Sequence, residues 1–269
     1  MGDSDSEVEI AGEQATAPEI LGSVIESAQH EMERGTAGLL LSGFSAGLDI
    51  GFGPLLMAVV LTVSESGYGD LGTELLLASA YSVGFIFVII ARSELFTEHT
   101  TLAVMPVLDK RESLGNLGRL WGLIWLSNVL GGAVFVVFVV TLLPDLGVAN
   151  AEAFVTIAGK MISHGPRWLF VAGILAGWLM GLLAWLITAA KETTSRLLII
   201  WLVTASIGLL HLPHSIAGNV EVLFGVFIST EITVLDYVTF LGFATVGNVV
   251  GGGVFVSLLK YGHVVRGGG

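Results

Sequence analysis

The sequence predicts an all-α integral membrane protein whose six transmembrane helices form two inverted three-helix repeats, with the second and fifth helices broken. Three observations lead to this fold class: the composition, a set of long apolar runs, and a pattern that recurs at a fixed separation. Of the 269 residues, 54% are hydrophobic and only 13% are charged, and the mean hydropathy is +0.85. Since soluble domains carry about 25% charged residues, the composition excludes an ordinary soluble domain.

Several apolar runs reach the roughly 20 residues that a helix needs to cross a bilayer. Two runs are interrupted by polar residues, the second near 92–99 and the fifth near 211–219. The predicted spans are about 36–63, 72–108, 117–143, 168–190, 197–229 and 236–260. We therefore predict one transmembrane transport domain over residues 35–261, an acidic N-terminal tail over 1–34, and a short C-terminal tail over 262–269.

The N-terminal tail is strongly acidic. Residues 1–33 hold nine of the 23 acidic residues and no Lys or Arg, and the whole chain has a net charge of −12. The tail lacks the apolar core of a secretory signal peptide, so we predict a solvated extension in which residues 18–34 form an amphipathic helix at the membrane surface. The chain has no basic surface for nucleic acid, and the absence of Cys excludes disulfides and thiolate metal sites.

Positive residues are divided unequally between the two sides of the membrane. With a cytoplasmic N-terminus, only Lys160 and Arg167 fall on the outer side, against eight on the cytoplasmic side. Because Lys and Arg favour cytoplasmic loops, we predict a multi-pass protein of the plasma membrane with both termini in the cytoplasm. The eight cytoplasmic residues are Arg34, Lys110, Arg111, Arg119, Lys191, Arg196, Lys260 and Arg266.

A sequence pattern recurs in the third and sixth spans. SNVLGGAVFVV at 127–137 and GNVVGGGVFVS at 247–257 share N-V-x-G-G-x-V-F-V, with Asn128 and Asn248 separated by 120 residues. The paired glycines predict close helix packing. A three-helix unit used twice must cross the membrane in opposite senses, because three is odd. GFSAG and GILAG provide a weaker match between the first and fourth spans.

The two interruptions occupy the same place in the two units, since Glu94 and His214 are also 120 residues apart. Unpaired backbone groups are not tolerated in hydrocarbon, so a helix break there lines a protein cavity. Paired breaks in inverted repeats meet at the substrate site. SELFTEHT (93–100) and HLPHSIAGN (211–219) are therefore the predicted centre of a pathway.

His214 is the strongest candidate in the second break. Pro213 removes a backbone donor, while Gly218 and Asn219 suit an irregular backbone. Ionisable residues inside a membrane are functional hypotheses by default, and a neutral imidazole here would donate a hydrogen bond or a proton to an arriving anion. The plainer interpretation is a histidine that bonds the end of a broken helix. We predict that the hydroxyl of Thr97 faces His214.

The first break combines apolar and charged residues. Leu95 and Phe96 suit a dry constriction, flanked by Glu94 and Glu98. Arg92 has two interpretations: an ion pair with one of these glutamates that locks the break, or an electropositive attraction for anions.

Further buried polar candidates are interpreted as loop-edge or helix–helix contacts: Asp49, His211 and Glu221. Enzyme motifs are missing, because the chain contains no metal-spaced His/Glu cluster, no phosphate loop and no nucleophile elbow. We therefore expect no enzymatic activity, no catalytic residue, no metal and no cofactor. Two other functions stay open: a neutral-solute or water channel of similar architecture, and a non-transporting scaffold or sensor that docks through its acidic tail.

Three motifs in order, ELFT (94–97), HSIAGN (214–219) and GNVVGGGVFV (247–256), resemble the formate/nitrite transporter family. The resemblance covers about residues 35–261. It implies an aquaporin-like fold, one pore per protomer and a homopentamer in the lipid bilayer. It also implies passage of small monovalent anions such as formate, nitrite, hydrosulfide, acetate or lactate.

The resemblance also implies site residues. The family's central histidine falls on His214 and its threonine partner on Thr97, while the vestibular lysine falls near Lys160, with Arg167 competing. Asn219, Arg92, Glu94 and Glu98 are further candidates for the vestibule or for selectivity. The implied constriction residues are Tyr81, Phe85, Leu95, Phe96 and Ile207.

Departures from the family pattern indicate a divergent subgroup. Pro213 stands where the family has a glutamate, Gly218 stands where it has an asparagine, and Gly177 stands where an asparagine would bond the histidine. The resulting hypothesis is a passive or proton-coupled pathway. Vestibular cations attract the anion, dry constrictions penalise its charge, and a proton delivered from or through His214 neutralises it.

Overall fold

The computed structural model describes residues 15–64 and 69–267, and of residues 143–146 only the backbone. The described part of the chain is entirely helical apart from turns and connecting segments. The helices are α1 Ala17–Glu33, α2 Thr36–Ile50, α3 Phe52–Val63, α4 Leu71–Ile90, α5 Phe96–Leu102, α6 Val104–Leu108, α7 Leu114–Leu146, α8 Ala151–Ile162, α9 Pro166–Ala189, α10 Thr193–Leu209, α11 Ser215–Ile228, α12 Val234–Val249, the π-helical segment Val250–Leu258, and α13 Leu259–Gly267.

Five helical stretches within the described ranges are long and apolar enough to cross a membrane. They are Thr36–Val63, Leu71–Ile90, Leu114–Leu142, Pro166–Ala189 and Val234–Gly267, and two shorter apolar helices, Thr193–Leu209 and Ser215–Ile228, accompany them. Many large apolar side chains on these helices face outward, including Leu41 at 72% exposed and Phe138 at 63% exposed. An outer surface of this kind suits lipid rather than water.

α1 forms as the sequence predicts, but its apolar face is covered by protein. Thr16 and Glu19 make a capping box, whose hydrogen bonds hold the pKa of Glu19 below its ordinary value. The buried face of α1, which includes Ile20 and Val24, packs against α6, α9 and α13, where it meets Met105 and Trp185. The apolar face of α1 therefore contacts the helical domain itself, and the position of α1 at the membrane surface stays a prediction.

The repeated glycine motifs bring helices together in two equivalent pairs. α2 packs on α7, and α9 packs on α12. A Cβ atom added at Gly131 would lie 2.2 Å from the carbonyl oxygen of Phe44, and one added at Gly251 would lie 2.1 Å from the carbonyl oxygen of Ile174. Only glycine allows backbones to approach this closely, so the prediction of tight packing at both motifs is confirmed.

The two helix gaps have the same local structure. α4 ends at Ile90 and α5 begins at Phe96, while α10 ends at Leu209 and α11 begins at Ser215. In each gap one residue has a left-handed backbone, Arg92 with φ 58° and His211 with φ 50°. The amide of the next residue then donates to a carbonyl five residues earlier, at 3.0 Å in the first gap and 3.1 Å in the second.

This comparison corrects the predicted register between the two repeats. The residue that caps the helix after the first gap is Leu95, and His214 caps the helix after the second. The structural equivalent of His214 is therefore Leu95, at a separation of 119 residues, rather than Glu94 at 120. Residues of the two repeats correspond through their position at the N-cap of the following helix, not through a constant spacing of 120 residues.

Candidate functional site

His214 and Thr97 join the two helix gaps. Nδ1 of His214 accepts a hydrogen bond from the backbone N–H of Ala217 at 3.1 Å, and Nε2 lies 2.7 Å from the hydroxyl oxygen of Thr97. Because Nδ1 accepts, a neutral imidazole carries its hydrogen on Nε2 and donates it to Thr97. The hydroxyl hydrogen of Thr97 is then available to another acceptor. His214 is 1% exposed and Thr97 is 0% exposed, and their predicted contact is present.

Two asparagines hold the gaps in place by equivalent hydrogen bonds. Oδ1 of Asn248 accepts from the backbone N–H of Ser215 at 2.8 Å, and Nδ2 donates to the carbonyl oxygens of Pro213 and Gly173, both at 2.9 Å. Buried backbone groups need partners of this kind. Sequence reasoning used Asn248 only as a marker of the repeat and missed this role.

Asn128 makes the matching set of bonds at the first gap. Its Oδ1 accepts from the backbone N–H of Phe96 at 2.8 Å, and its Nδ2 donates to the carbonyl oxygens of Glu94 and Gly43, both at 2.8 Å. The shared asparagine in N-V-x-G-G-x-V-F-V was the signal available in the sequence. Each asparagine fixes the start of the short helix that follows its gap.

The predicted constriction residues lie in two groups around the central pair. Tyr81 and Phe85 lie on α4, next to His214. The ring centroids of Tyr81 and Phe85 are 5.0 Å apart, and the ring of Phe85 contacts that of His214 edge-to-face at a centroid distance of 4.9 Å. Ile207 on α10 is fully buried and lines the same cavity as Tyr81. At the first gap, Leu95 and Phe96 are both buried, and Phe96 packs against the ring of Trp121 at 6.2 Å.

Glu94 belongs to a charged cluster whose main members the sequence analysis missed. Its carboxylate pairs with Arg34 and with His99, and its backbone N–H donates to Ser42. Arg34 also pairs with Glu31 at 2.7 Å, a hydrogen bond that raises the pKa of the Arg34 guanidinium. This cluster ties the end of α1 to the first gap.

Arg92 does not make the ion pair that one interpretation expected. Its left-handed backbone ends α4, and its side chain is exposed. Within the described ranges the partners of Glu94 are Arg34 and His99, and no ion pair joins Arg92 to Glu94 or Glu98. Glu98 is buried on α5, next to His99. The interpretation of Arg92 as the lock on the break is therefore wrong.

The remaining predicted site residues differ in their distance from the gaps. Lys160 lies on α8, partly buried and close enough to His211 for an electrostatic interaction, whereas Arg167 is exposed at the start of α9. Asn219 accepts a hydrogen bond from the hydroxyl of Tyr237 at 2.7 Å and donates to a backbone carbonyl of α7 at 3.4 Å. Asn219 therefore connects α11 to its neighbours.

A small cavity lies beyond Tyr81, on the side that holds Lys160. Its wall includes Tyr81, Ile207, His211 and Glu221. Glu221 is 2% exposed, and its Oε2 has no hydrogen-bond partner in the part of the chain that the structure describes. Sequence reasoning interpreted Glu221 only as a helix contact. The described residues contain no cluster of three or more His, Asp or Glu placed to hold a metal ion.

Comparison with known proteins decides the family. The profile described as "Formate/nitrite transporter" matches residues 18–262, which is nearly the whole chain. The chain belongs to the formate/nitrite transporter family. It is 32% identical over 242 residues to the inner membrane protein YfdC of Escherichia coli K12, covering 89% of this chain and 76% of that protein. It is 29% identical over 240 residues to a probable formate transporter of Methanothermobacter thermautotrophicus, covering 83% and 87%.

Solved structures share the fold of this family member. A structure described as an FNT family ion channel superposes with a TM-score of 0.80 at 22% identity, covering 91% of this chain and 98% of that one. A pentameric formate channel with formate bound superposes with a TM-score of 0.74 at 24% identity, covering 86% and 98%. The all-helical membrane fold predicted from sequence is therefore confirmed.

Proposed function

We propose that this protein conducts a small monovalent weak-acid anion, of the formate or nitrite type, through a pore in each protomer, with His214 assisting protonation. The observation that carries the proposal is the buried contact of 2.7 Å between His214 and Thr97, where the two helix gaps meet. A pair of helix breaks that meet in the membrane interior is the arrangement of a transport site.

The proposal includes an architecture. α4 with α5 and α6 forms one broken crossing, and α10 with α11 forms the other, which gives six crossings in two inverted repeats. The matching hydrogen bonds of Asn128 and Asn248 support this pairing. Residues 35–261 form the transport domain, both termini lie in the cytoplasm, and five protomers assemble, as in the pentameric formate channel of the same fold.

The proposed pathway has three parts. Lys160 and Arg167 raise the local anion concentration in the outer vestibule. Tyr81, Phe85 and Ile207 form one dry constriction. Leu95 and Phe96 form the other, and removing water from a charged anion there costs several kcal/mol.

The central pair supplies hydrogen bonds that replace the lost water. Nε2–H of His214 donates to Thr97, so the hydroxyl of Thr97 donates its own hydrogen to the anion. Passage is completed when the anion carries a proton and crosses as the neutral acid. Flux therefore depends on pH.

The test is uptake of isotope-labelled formate, nitrite, acetate and hydrosulfide by liposomes that contain the purified protein. Replacing His214 with Ala removes the polar centre, and Thr97→Val removes the hydroxyl while keeping the shape. We expect each change to lower uptake at least about tenfold, equivalent to about 1.4 kcal/mol. Thr156→Val, at an exposed site on α8, is the matched control and keeps full uptake. If both central variants take up the anions as fast as the wild type, the proposed role of this pair is refuted.

A further inference from the structure

Glu221 is a buried acid that the pathway described so far does not use. It lies on α11, two turns beyond His214, and its side chain reaches the cavity next to Tyr81. The carboxyl is 2% exposed, and Oε2 has no hydrogen-bond partner among the described residues. A buried carboxylate without a partner is costly, so a group of this kind marks a place where a ligand or a proton completes the site.

The titratable groups around the cavity leave Glu221 unpaired. Tyr81 faces it from α4 and His211 faces it from the second gap, where Nε2 of His211 lies 3.4 Å from Oε2 of Glu74. On α8, Lys160 interacts with His211, and on α12 the hydroxyl of Tyr237 is bonded to Asn219. No salt bridge to Glu221 is formed by any described residue of these elements.

The central histidine has no spare proton to give. Nδ1 of His214 is occupied by the N–H of Ala217, and the hydrogen on Nε2 is donated to Thr97. A neutral imidazole that lost this hydrogen would become an imidazolate, and protonating Nδ1 would break the helix cap. Another acid along the route is therefore better placed than His214 to supply a proton that travels with an anion.

We infer that the cavity at Glu221 binds the anion of a small weak acid and that Glu221 supplies the proton that accompanies it. This inference rests on the proposed function and defines the part of His214 in it: Glu221 supplies the proton, and His214 assists by binding the protonated acid through hydrogen bonds. An anion beside an ionised Glu221 would be repelled. A carboxylic acid beside an anion instead shares one proton between two oxygens, as two acidic groups in close contact do.

The step balances in protons. The O–H bond of the Glu221 carboxylic acid breaks as an O–H bond forms on the anion, and the neutral acid moves past Phe85 towards His214 and Thr97. The carboxylate left on Glu221 then takes a proton from water on the Lys160 side. One proton therefore crosses with each anion, and His214 serves as a neutral hydrogen-bonding centre.

The first test is equilibrium exchange of labelled formate in proteoliposomes, with equal pH on both sides and with exchange through protein-free liposomes subtracted. Between about pH 7.5 and about pH 5.5 we expect wild-type exchange to rise by up to about tenfold per pH unit. The exchange rate of Glu221→Gln should vary less than about twofold over this pH range, because the Gln amide cannot release a proton. Glu221→Asp should keep the pH dependence. Glu231→Gln makes the same chemical change at an exposed site on the same side, and its exchange should match that of the wild type.

The second measurement does not depend on transport. Infrared difference spectra with and without formate should show a change in a carboxylic acid C=O band that is absent in Glu221→Gln and present in Glu231→Gln. Exchange in Glu221→Gln with the full pH dependence would overturn the inference and leave the proposed function standing. If the wild type carried no anion, the proposed function would fail, and a missing infrared band would overturn the inference as well.

Discussion

At the residue scale, the site depends on side chains that complete the hydrogen bonding of two interrupted helices. His214 caps α11 through Nδ1 and contacts Thr97 through Nε2. Asn128 and Asn248 each satisfy three backbone groups around a gap. These side chains pair backbone groups that the helix breaks expose, and the hydroxyl hydrogen of Thr97 is available to another acceptor.

Replacing Asn248 with Leu should destabilise the protein and displace His214. The change leaves the N–H of Ser215 and the carbonyls of Pro213 and Gly173 without their partner, and each unpaired buried group costs about 1–3 kcal/mol. We expect Tm to fall by at least about 6 °C and formate uptake to be lost, measured by thermal unfolding in detergent and by liposome uptake. Asn116→Leu, at an exposed site, is the control, and an unchanged Tm in Asn248→Leu would contradict the assignment.

The sequence was sufficient to predict the contact between His214 and Thr97, because the family motifs carry both residues. It was not sufficient to predict the partners of Glu94. Arg34 lies 60 residues before Glu94, and His99 belongs to the same polar run as Arg92. The sequence near Glu94 therefore did not show which of these residues would pair with it. The deciding factor was the left-handed backbone of Arg92, which only the folded turn reveals.

At the element scale, the long apolar runs predicted the main helices closely, and the differences have local causes. The first predicted span is divided into α2 and α3 at Gly51, three residues before Pro54. Proline lacks a backbone donor and disturbs the preceding turn. The amphipathic helix α8, which carries Lys160, lies between the predicted third and fourth spans and was not predicted. Its apolar side includes Phe154 and Ile157, which pack inside the domain.

Close helix packing at the repeated glycines gives a test at this scale. Gly177→Ala places a Cβ 2.2 Å from the carbonyl oxygen of Asn248, so α9 and α12 must separate, and we expect a clear loss of Tm. Gly242→Ala on α12 meets nothing within 4 Å and should leave Tm unchanged or raise it slightly, because glycine weakens a helix by about 0.5–1 kcal/mol. Equal effects of the two changes would show that the contact is unimportant.

At the scale of the whole molecule, a membrane domain with two matching helix gaps carries the N-terminal helix α1. α1 packs against α6, α9 and α13, and Arg34 at its end pairs with Glu94 at the first gap. The predicted acidic segment before Ala15 lies outside the described residues, as do the last two residues of the predicted C-terminal tail. Family membership establishes the transporter class, whereas the anion and the proton route are proposals of this structure.

The proposed function requires that each protomer contain its own anion pathway through His214. The measurement that tests it most directly is formate uptake by pentamers assembled from wild-type and His214→Ala chains mixed in known proportions. Independent pores predict that uptake falls in direct proportion to the wild-type fraction and reaches the background level when every chain is the variant. A much steeper fall, as expected for one pore shared by all protomers, or uptake that is independent of the variant fraction, would contradict a separate pathway through His214 in each protomer.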